Sequence, residues 1–218
     1  MADVMPVSSA SAKLGRLVVV GLGLIGGSFA KGIREKGLFS EVVGVDLDAE
    51  SRRLAVELGV VDRCEIDLAA ACQGAAVIQL AVPILAMEKL LLQLAKLDLG
   101  QAVLTDVGSA KGNVVRAARL AFAGDNPRFV PGHPIAGSEQ SGVEASNAQL
   151  FRRHKVILTP QASTDAAALA LVDGLWRELG ADVEHMEVEH HDQVLAATSH
   201  LPHLLAFAMM NAVNSQPQ

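Results

Sequence analysis

Arg16–Lys36 reads RLVVVGLGLIGGSFAKGIREK, and the fold is decided there. Four apolar residues, Leu17 to Val20, run without interruption into GLGLIG at Gly21–Gly26. An unbroken apolar run of this kind marks a strand buried on both faces of a parallel sheet. The glycine turn opens directly onto Leu24–Lys36, whose apolar residues recur at helical spacing and stop at Gly37. Strand, glycine turn and helix in that order give a GxGxxG pattern its meaning as a dinucleotide loop. Gly21 permits the tight turn, Gly23 lets backbone approach a pyrophosphate, and Gly26 lets helix pack on strand, with Leu22, Leu24 and Ile25 between them. Phosphate then sits at the positive helix terminus. Asp46, twenty residues past Gly26 at the end of VVGVD, is placed to bond both hydroxyls of an adenosine ribose. Its charge would repel a 2′-phosphate, so NAD is expected over NADP. The competing reading makes the glycines a plain turn and Asp46 a helix cap. Arg52 and Arg53, expected on a solvated helix face, would weaken the NAD assignment if they folded back toward the ribose.

Working outward, the same alternation continues. Strands are expected at Val42–Val45, Val77–Leu80 and Val103–Thr105, and helices at Ala49–Leu58, Ile84–Leu94 and Ala110–Ala121. Beyond Pro127, strands at Arg128–Val130, Lys155–Leu158 and Asp182–Glu184, with a helix at Asp165–Leu179, are expected to extend the sheet. From Val188 to Asn214 one long helical pattern runs through Pro202, and its apolar face (Leu195, Leu204, Leu205, Phe207, Met209) has almost nothing after it to pack against. The fold class is α/β, a Rossmann-type doubly wound, mainly parallel sheet followed by the start of an all-helical C-terminal domain. Residues 1–15 are expected to be a flexible N-terminus, 16–185 the dinucleotide-binding domain, and 186–218 the first helix of an incomplete second domain ending at a cut in SQPQ.

Half of the 218 residues are apolar and 19% are charged, enough to bury a substantial core. A net charge of −6 argues against a nucleic-acid partner, whose backbone rewards clustered Lys and Arg. Cys64 and Cys72 form neither a disulfide framework nor a zinc pattern, and read as inert thiols in a reducing compartment. With no apolar signal segment and no apolar run long enough for a membrane span, a cytoplasmic enzyme is expected.

AVP at Ala81, Val82 and Pro83 and TDVGSAKG at Thr105–Gly112 each end an expected strand. Ligands of open parallel sheets bind outside the carboxyl ends of strands, so Asp106 and Gly108 join Ala81–Pro83 as candidates for the nicotinamide half of the cofactor. Three blocks then stand in one order: TDVGSAK at Thr105–Lys111, PGHPIAGSE at Pro131–Glu139 and SHLPH at Ser199–His203. Together with GLGLIGGS, they resemble the prephenate/arogenate dehydrogenases of tyrosine biosynthesis over roughly residues 16–214. GHPIAGSE and SHLPH are specific to that resemblance; GxGxxG alone is not.

The resemblance implies oxidation of prephenate or arogenate, with loss of carbon dioxide and formation of an aromatic ring. Taking hydride from a ring carbinol requires a base for its hydroxyl proton, and histidine titrates in the right range. His133 is the catalytic residue implied, and Ser109 a hydroxyl near the nicotinamide that helps orient it. Aromatisation drives departure of the carboxylate, and no metal is called for. His200 and His203, three apart on a helix, share a face from which both could reach substrate oxygens. Ser138, Glu139 and Ser199 are further substrate contacts, whereas His190 and His191 are expected to be solvated. The bland readings are a helix N-cap for Ser109, a turn filler for His133, interhelical bonding for His200 and His203, and a loop tie for Glu139. The family continues through a helical dimerisation domain whose arginine pairs with a substrate carboxylate; that residue is expected beyond Gln218, and a homodimer through the missing helices is implied. A β-hydroxyacid dehydrogenase would need a lysine in the later helix, and Val188–Asn214 has none. A non-catalytic NAD-binding module is the reading from another class.

Overall fold

The computed structural model describes residues 13–214. Its main sheet is wholly parallel, in the order β3-β2-β1-β4-β5-β6. The strands are β1 (Leu14–Val20), β2 (Phe39–Val45), β3 (Arg63–Glu65), β4 (Ala75–Leu80), β5 (Val103–Asp106) and β6 (Phe129–Val130). Between them lie α1 (Leu24–Lys36), α2 (Ala49–Glu57), α3 (Leu68–Cys72), α4 (Ile84–Leu94) and α5 (Lys111–Ala121). The strand order reverses between β1 and β4, which opens the crevice where open α/β sheets bind ligands.

The two faces of β1 follow the period of a strand. Leu17 and Val19 enter one core layer, with α1 and α6 (Ala166–Glu178), while Val18 and Val20 enter the other, with α3, α4 and α5. Aromatic packing sets the first layer: Trp176 is fully buried between Phe29 and Phe151, ring centroids 4.7 and 5.0 Å away, both edge-on. This packing fixes α1 against the sheet and so fixes the glycine loop at its start.

Several expectations need correction. β1 begins at Leu14, inside the stretch read as flexible, while residues 1–12 lie outside the described ones. Of the later strands only β6 extends the main sheet. Pro131 follows it, and the chain then forms β7 (Gly132–Pro134), which pairs antiparallel with β8 (Lys155–Leu158) while β8 pairs parallel with β9 (Asp182–His185) in a separate three-stranded sheet. The histidine block is therefore a short strand, not a turn. The long C-terminal helical pattern divides into α7 (Val188–Leu195), a π-type turn at Ala196–His200 and α8 (Leu201–Asn214). Pro202 has no N–H to give its helix, and the wider turn in front of it, closed by Leu201 N–H to Ala196 O, takes up the defect. Leu195 is buried rather than unpartnered, whereas Leu205, Phe207 and Met209 are exposed; the Leu204 side chain lies outside the described ones.

Candidate active site

The glycine loop is built by close approaches that a Cβ would forbid. Gly21 has φ +94°, and a Cβ there would stand 2.4 Å from the Ala81 carbonyl oxygen. A Cβ on Gly26 would stand 2.0 Å from the Gly21 oxygen. Gly23, the N-cap of α1, is different: nothing lies within 4 Å of its Cβ position, and no side chain caps the helix. The unpaired amides of α1 thus face open space of the kind a pyrophosphate fills. Gly26→Ala is expected to lower dinucleotide affinity at least about tenfold, read by titration against the fluorescence of Trp176; wild-type affinity would mean the loop is not the cradle.

Asp46 is pinned at the end of β2. Its Oδ2 accepts the Leu22 amide at 2.8 Å and its Oδ1 the Asp48 amide at 2.9 Å, so the carboxylate is oriented before any ligand arrives. Asp48, not Asp46, caps α2. Arg53 stays on its helix with Glu50 and Glu57, but Arg52 folds back to the Asp46 and Leu47 carbonyls, at 2.7 and 2.9 Å, against the expectation of a solvated face.

A cavity of about 1060 Å³ runs from Asp46, Leu47 and Ile66 past Gly21, Gly23, Leu24 and Ile25 to Ala81, Val82, Pro83, Gly108, Ser109 and His133. Expected residues thus converge from the ends of β1, β2, β4 and β5 and from β7. Leu22 and Asp106 are not on its wall: both are fully buried, Leu22 beneath the loop and Asp106 inside a polar cluster. Asp106 accepts the Gly108 amide at 2.7 Å, so it shapes the wall instead of forming it.

Behind His133 lies a cluster that sequence reading missed. Lys111 is fully buried and donates to both Asp106 oxygens, at 2.7 and 2.6 Å, and to the Gly132 carbonyl at 2.5 Å. Burial holds its ammonium below the ordinary lysine range while Asp106 pulls the other way. Asp106 also accepts the Gly132 amide at 3.2 Å. The backbone before His133 is therefore clamped on both sides by one ion pair. The ring itself meets His191, Nδ1 to Nε2 at 3.0 Å, and His191 Nδ1 lies 2.8 Å from Asp192 Oδ1. His191 is fully buried, contrary to the solvated reading that holds for exposed His190. Burial pushes the His191 ring below its ordinary titration, with Asp192 opposing. Burial alone would raise the Asp192 carboxyl, but the amides of Gly112 and Lys111 and the His191 ring together leave it below its ordinary value.

The signal for these residues was periodicity. Lys111 shares a helix stripe with Val114, Val115 and Ala118, and His191 shares one with Val188 and Leu195, all buried. Ser109 does not cap α5: the N-cap is Ala110, and the first amides of that helix go to Asp192 on α7. Ser138 and Glu139 are exposed, with Ser138 tied to Gln140 in a local turn and neither on the cavity wall. Ser199 and His200 fall in the π-type turn and His203 in α8; the side chains of both histidines lie outside the described ones.

Comparison with known proteins gives the same picture. Residues 29–185 match the model for the prephenate dehydrogenase nucleotide-binding domain, and residues 187–218 the model for its dimerization domain. A cyclohexadienyl dehydrogenase from Zymomonas mobilis is 36% identical over 91% of this chain and 67% of its own length. A prephenate dehydrogenase from Bacillus subtilis is 35% identical over 89% of this chain and 53% of its own, so the chain spans about half to two thirds of these relatives. The crystal structure of prephenate dehydrogenase from A. aeolicus, in complex with hydroxyphenyl propionate and NAD+, superposes with a TM-score of 0.86 at 37% identity, covering 95% of this chain and 72% of that one. With a glycine cradle, a pinned carboxylate and a histidine converging on one crevice, and with a matching family model over most of its length, the chain belongs to the prephenate dehydrogenase family.

Proposed function

We propose that this chain serves the NAD-dependent oxidative decarboxylation of prephenate to 4-hydroxyphenylpyruvate, or of arogenate to tyrosine, with His133 as the base. The observation that carries the reading is the position of His133 on the wall of the same cavity as Ser109, past the far end of the strand order from Asp46. Bound NAD supplies a hydride acceptor at its nicotinamide ring. His133 takes the hydroxyl proton of the ring carbinol as hydride leaves its carbon. The carbon–carboxylate bond then breaks toward the new carbonyl, carbon dioxide departs, and the phenolate oxygen takes the proton back from His133. Ser109 orients this exchange. Ser199, His200 and His203 are assigned to the substrate's oxygens, with Ser138 and Glu139 on a neighbouring exposed loop.

Gly21, Gly23 and the α1 terminus are assigned to the pyrophosphate, Asp46 to the adenosine ribose, and Ala81–Pro83 and Gly108 to the nicotinamide half. The proposal divides the chain into a cofactor domain from Leu14, where β1 begins, to residue 185 and the start of a helical domain at 186–218. The exposed apolar residues Leu205, Phe207, Met209 and Met210 are assigned to a homodimer formed through that helical domain. A cytoplasmic setting, with neither nucleic acid nor membrane as partner, belongs to the same reading; among the described residues no helix is long and apolar enough to cross a membrane.

Asp46→Ser is expected to lower NAD affinity about tenfold and to raise NADP affinity, because Arg52 already lies against the Asp46 carbonyl. Titration with both dinucleotides checks this; an unchanged preference would remove Asp46 from the site. The function itself is tested by following reduced nicotinamide and carbon dioxide with NAD and either substrate, for this chain and for a version carrying the relatives' further length. Equimolar release supports the proposal; reduced nicotinamide without carbon dioxide, or neither product from either version, overturns it.

A further inference from the structure

We propose that His191 and Asp192 position His133 and fix its tautomer, Asp192 being the anionic end of a three-residue chain that runs from the N-terminus of α5 to the reacting edge of the site. The inference rests on His133 being the base proposed above. Donor and acceptor roles follow in sequence from the anion. An ionised carboxylate can only accept, so the proton of the buried His191 ring is on Nδ1, 2.8 Å from Asp192 Oδ1. A neutral ring protonated at Nδ1 carries its lone pair on Nε2. The contact of that atom with His133 Nδ1 at 3.0 Å then makes His133 the donor. The lone pair of neutral His133 is thereby placed on Nε2, the nitrogen that must accept a proton. When it does, the Nδ1 bond to His191 is kept, and the Asp192 charge lies behind the new imidazolium.

Asp192 is itself held by a second element. Its two oxygens accept the Lys111 and Gly112 amides, each at 2.9 Å, and a Cβ on Gly112 would stand 2.8 Å from Oδ2, so a glycine lets the carboxylate come this close. The same α5 N-terminus follows the loop bearing Ser109, and the same Lys111 holds the Gly132 carbonyl. Ring, loop and backbone of the site are thus referred to one helix end. Among the described residues, two further charge pairs lie near His133: Lys111 with Asp106 beneath Gly132, and Glu184, in register with His133 through Ile157, with Lys155.

Nitrogen-15 histidine spectra test this without requiring turnover, with His133 assigned by the resonance lost in His133→Asn. The wild-type chain is expected to show His133 as the Nδ1–H tautomer. His191→Leu removes the acceptor: His133 should shift toward Nε2–H and titrate about one pH unit lower. Because the base works deprotonated, the acid limb of turnover should move to lower pH by the same amount, with kcat down about ten- to a hundredfold and NAD affinity unchanged. His191→Gln, whose Oε1 can accept from Nδ1, should keep the tautomer and restore most of kcat. If His191→Leu does not fold, His191→Gln and Asp192→Asn carry the test, the second lowering the His133 titration without removing the ring. An Nε2–H tautomer in the wild type, or a His133 titration unmoved in His191→Leu or Asp192→Asn, overturns the proposal. No turnover by the wild type or by the version carrying the relatives' further length, with the Nδ1–H tautomer present, would overturn the function and leave this arrangement standing.

Discussion

Replacing His133 with asparagine is expected to lower turnover by about a hundred- to ten-thousandfold while leaving NAD affinity close to that of the wild type. The substitution separates the two roles of the side chain. An asparagine amide N–H can still donate to His191 Nε2, which His133 meets at 3.0 Å, so the small sheet and α7 lose little. What is lost is the group that can take up and return a proton near neutral pH. The cradle at Gly21 and Gly23 and the carboxylate of Asp46 belong to other strand ends and are untouched. Steady-state kinetics beside an NAD titration checks both halves. Near-normal turnover would remove His133 from the chemistry; a matching loss of NAD affinity would make its role structural.

The largest effect on stability is expected at Lys111. Lys111→Met leaves the fully buried Asp106 carboxylate without its cation, a loss of about 3–5 kcal/mol for breaking one side of a buried pair. For a domain of this size that corresponds to a fall in Tm of roughly 6–20 °C. Asp106 would keep the Gly108 and Gly132 amides, but the Gly132 carbonyl would lose its donor, so the backbone before His133 should loosen as well. Adding Asp106→Asn removes the stranded charge and should recover part of the Tm. Thermal unfolding of wild type, single and double variants decides: a single variant as stable as wild type would mean the pair is not an ion pair in the folded state.

How much of this was legible in the sequence depends on what each residue's state is set by. The loop between β1 and α1 was readable because the tight turn itself asks for glycine, with Gly21 at a positive φ and Gly26 against the Gly21 oxygen, and α1 and α4 fall on the bounds their periodicity gave. β3 was not, because Arg63–Glu65 is a half-exposed edge strand of two charged residues around a cysteine, with no alternation to read. β7 was hidden for another reason: glycine and proline flank His133, and these residues become a strand only through pairing with β8, more than twenty positions away. In the site, side chains held by local geometry were found, while the polar groups behind them were not. His191 was judged by polarity and Lys111 was passed over, although each lies on a buried helical stripe. Their partners lie close in sequence, Asp192 next to His191 and Asp106 five residues before Lys111, but residue type alone does not reveal that each pair turns inward behind His133. The Asp192 cap on α5 joins residues eighty positions apart and also explains why Ser109, a good local cap by residue type, lines the cavity instead.

The central claim, that hydride leaves the ring carbinol of a cyclohexadienyl substrate for NAD, is tested most directly by placing deuterium on that carbon. The account predicts that deuterium appears in the reduced nicotinamide, one for each aromatic product released, and that His133→Asn loses the transfer together with the product. Aromatic product formed with its deuterium released to water and none in the nicotinamide would contradict it.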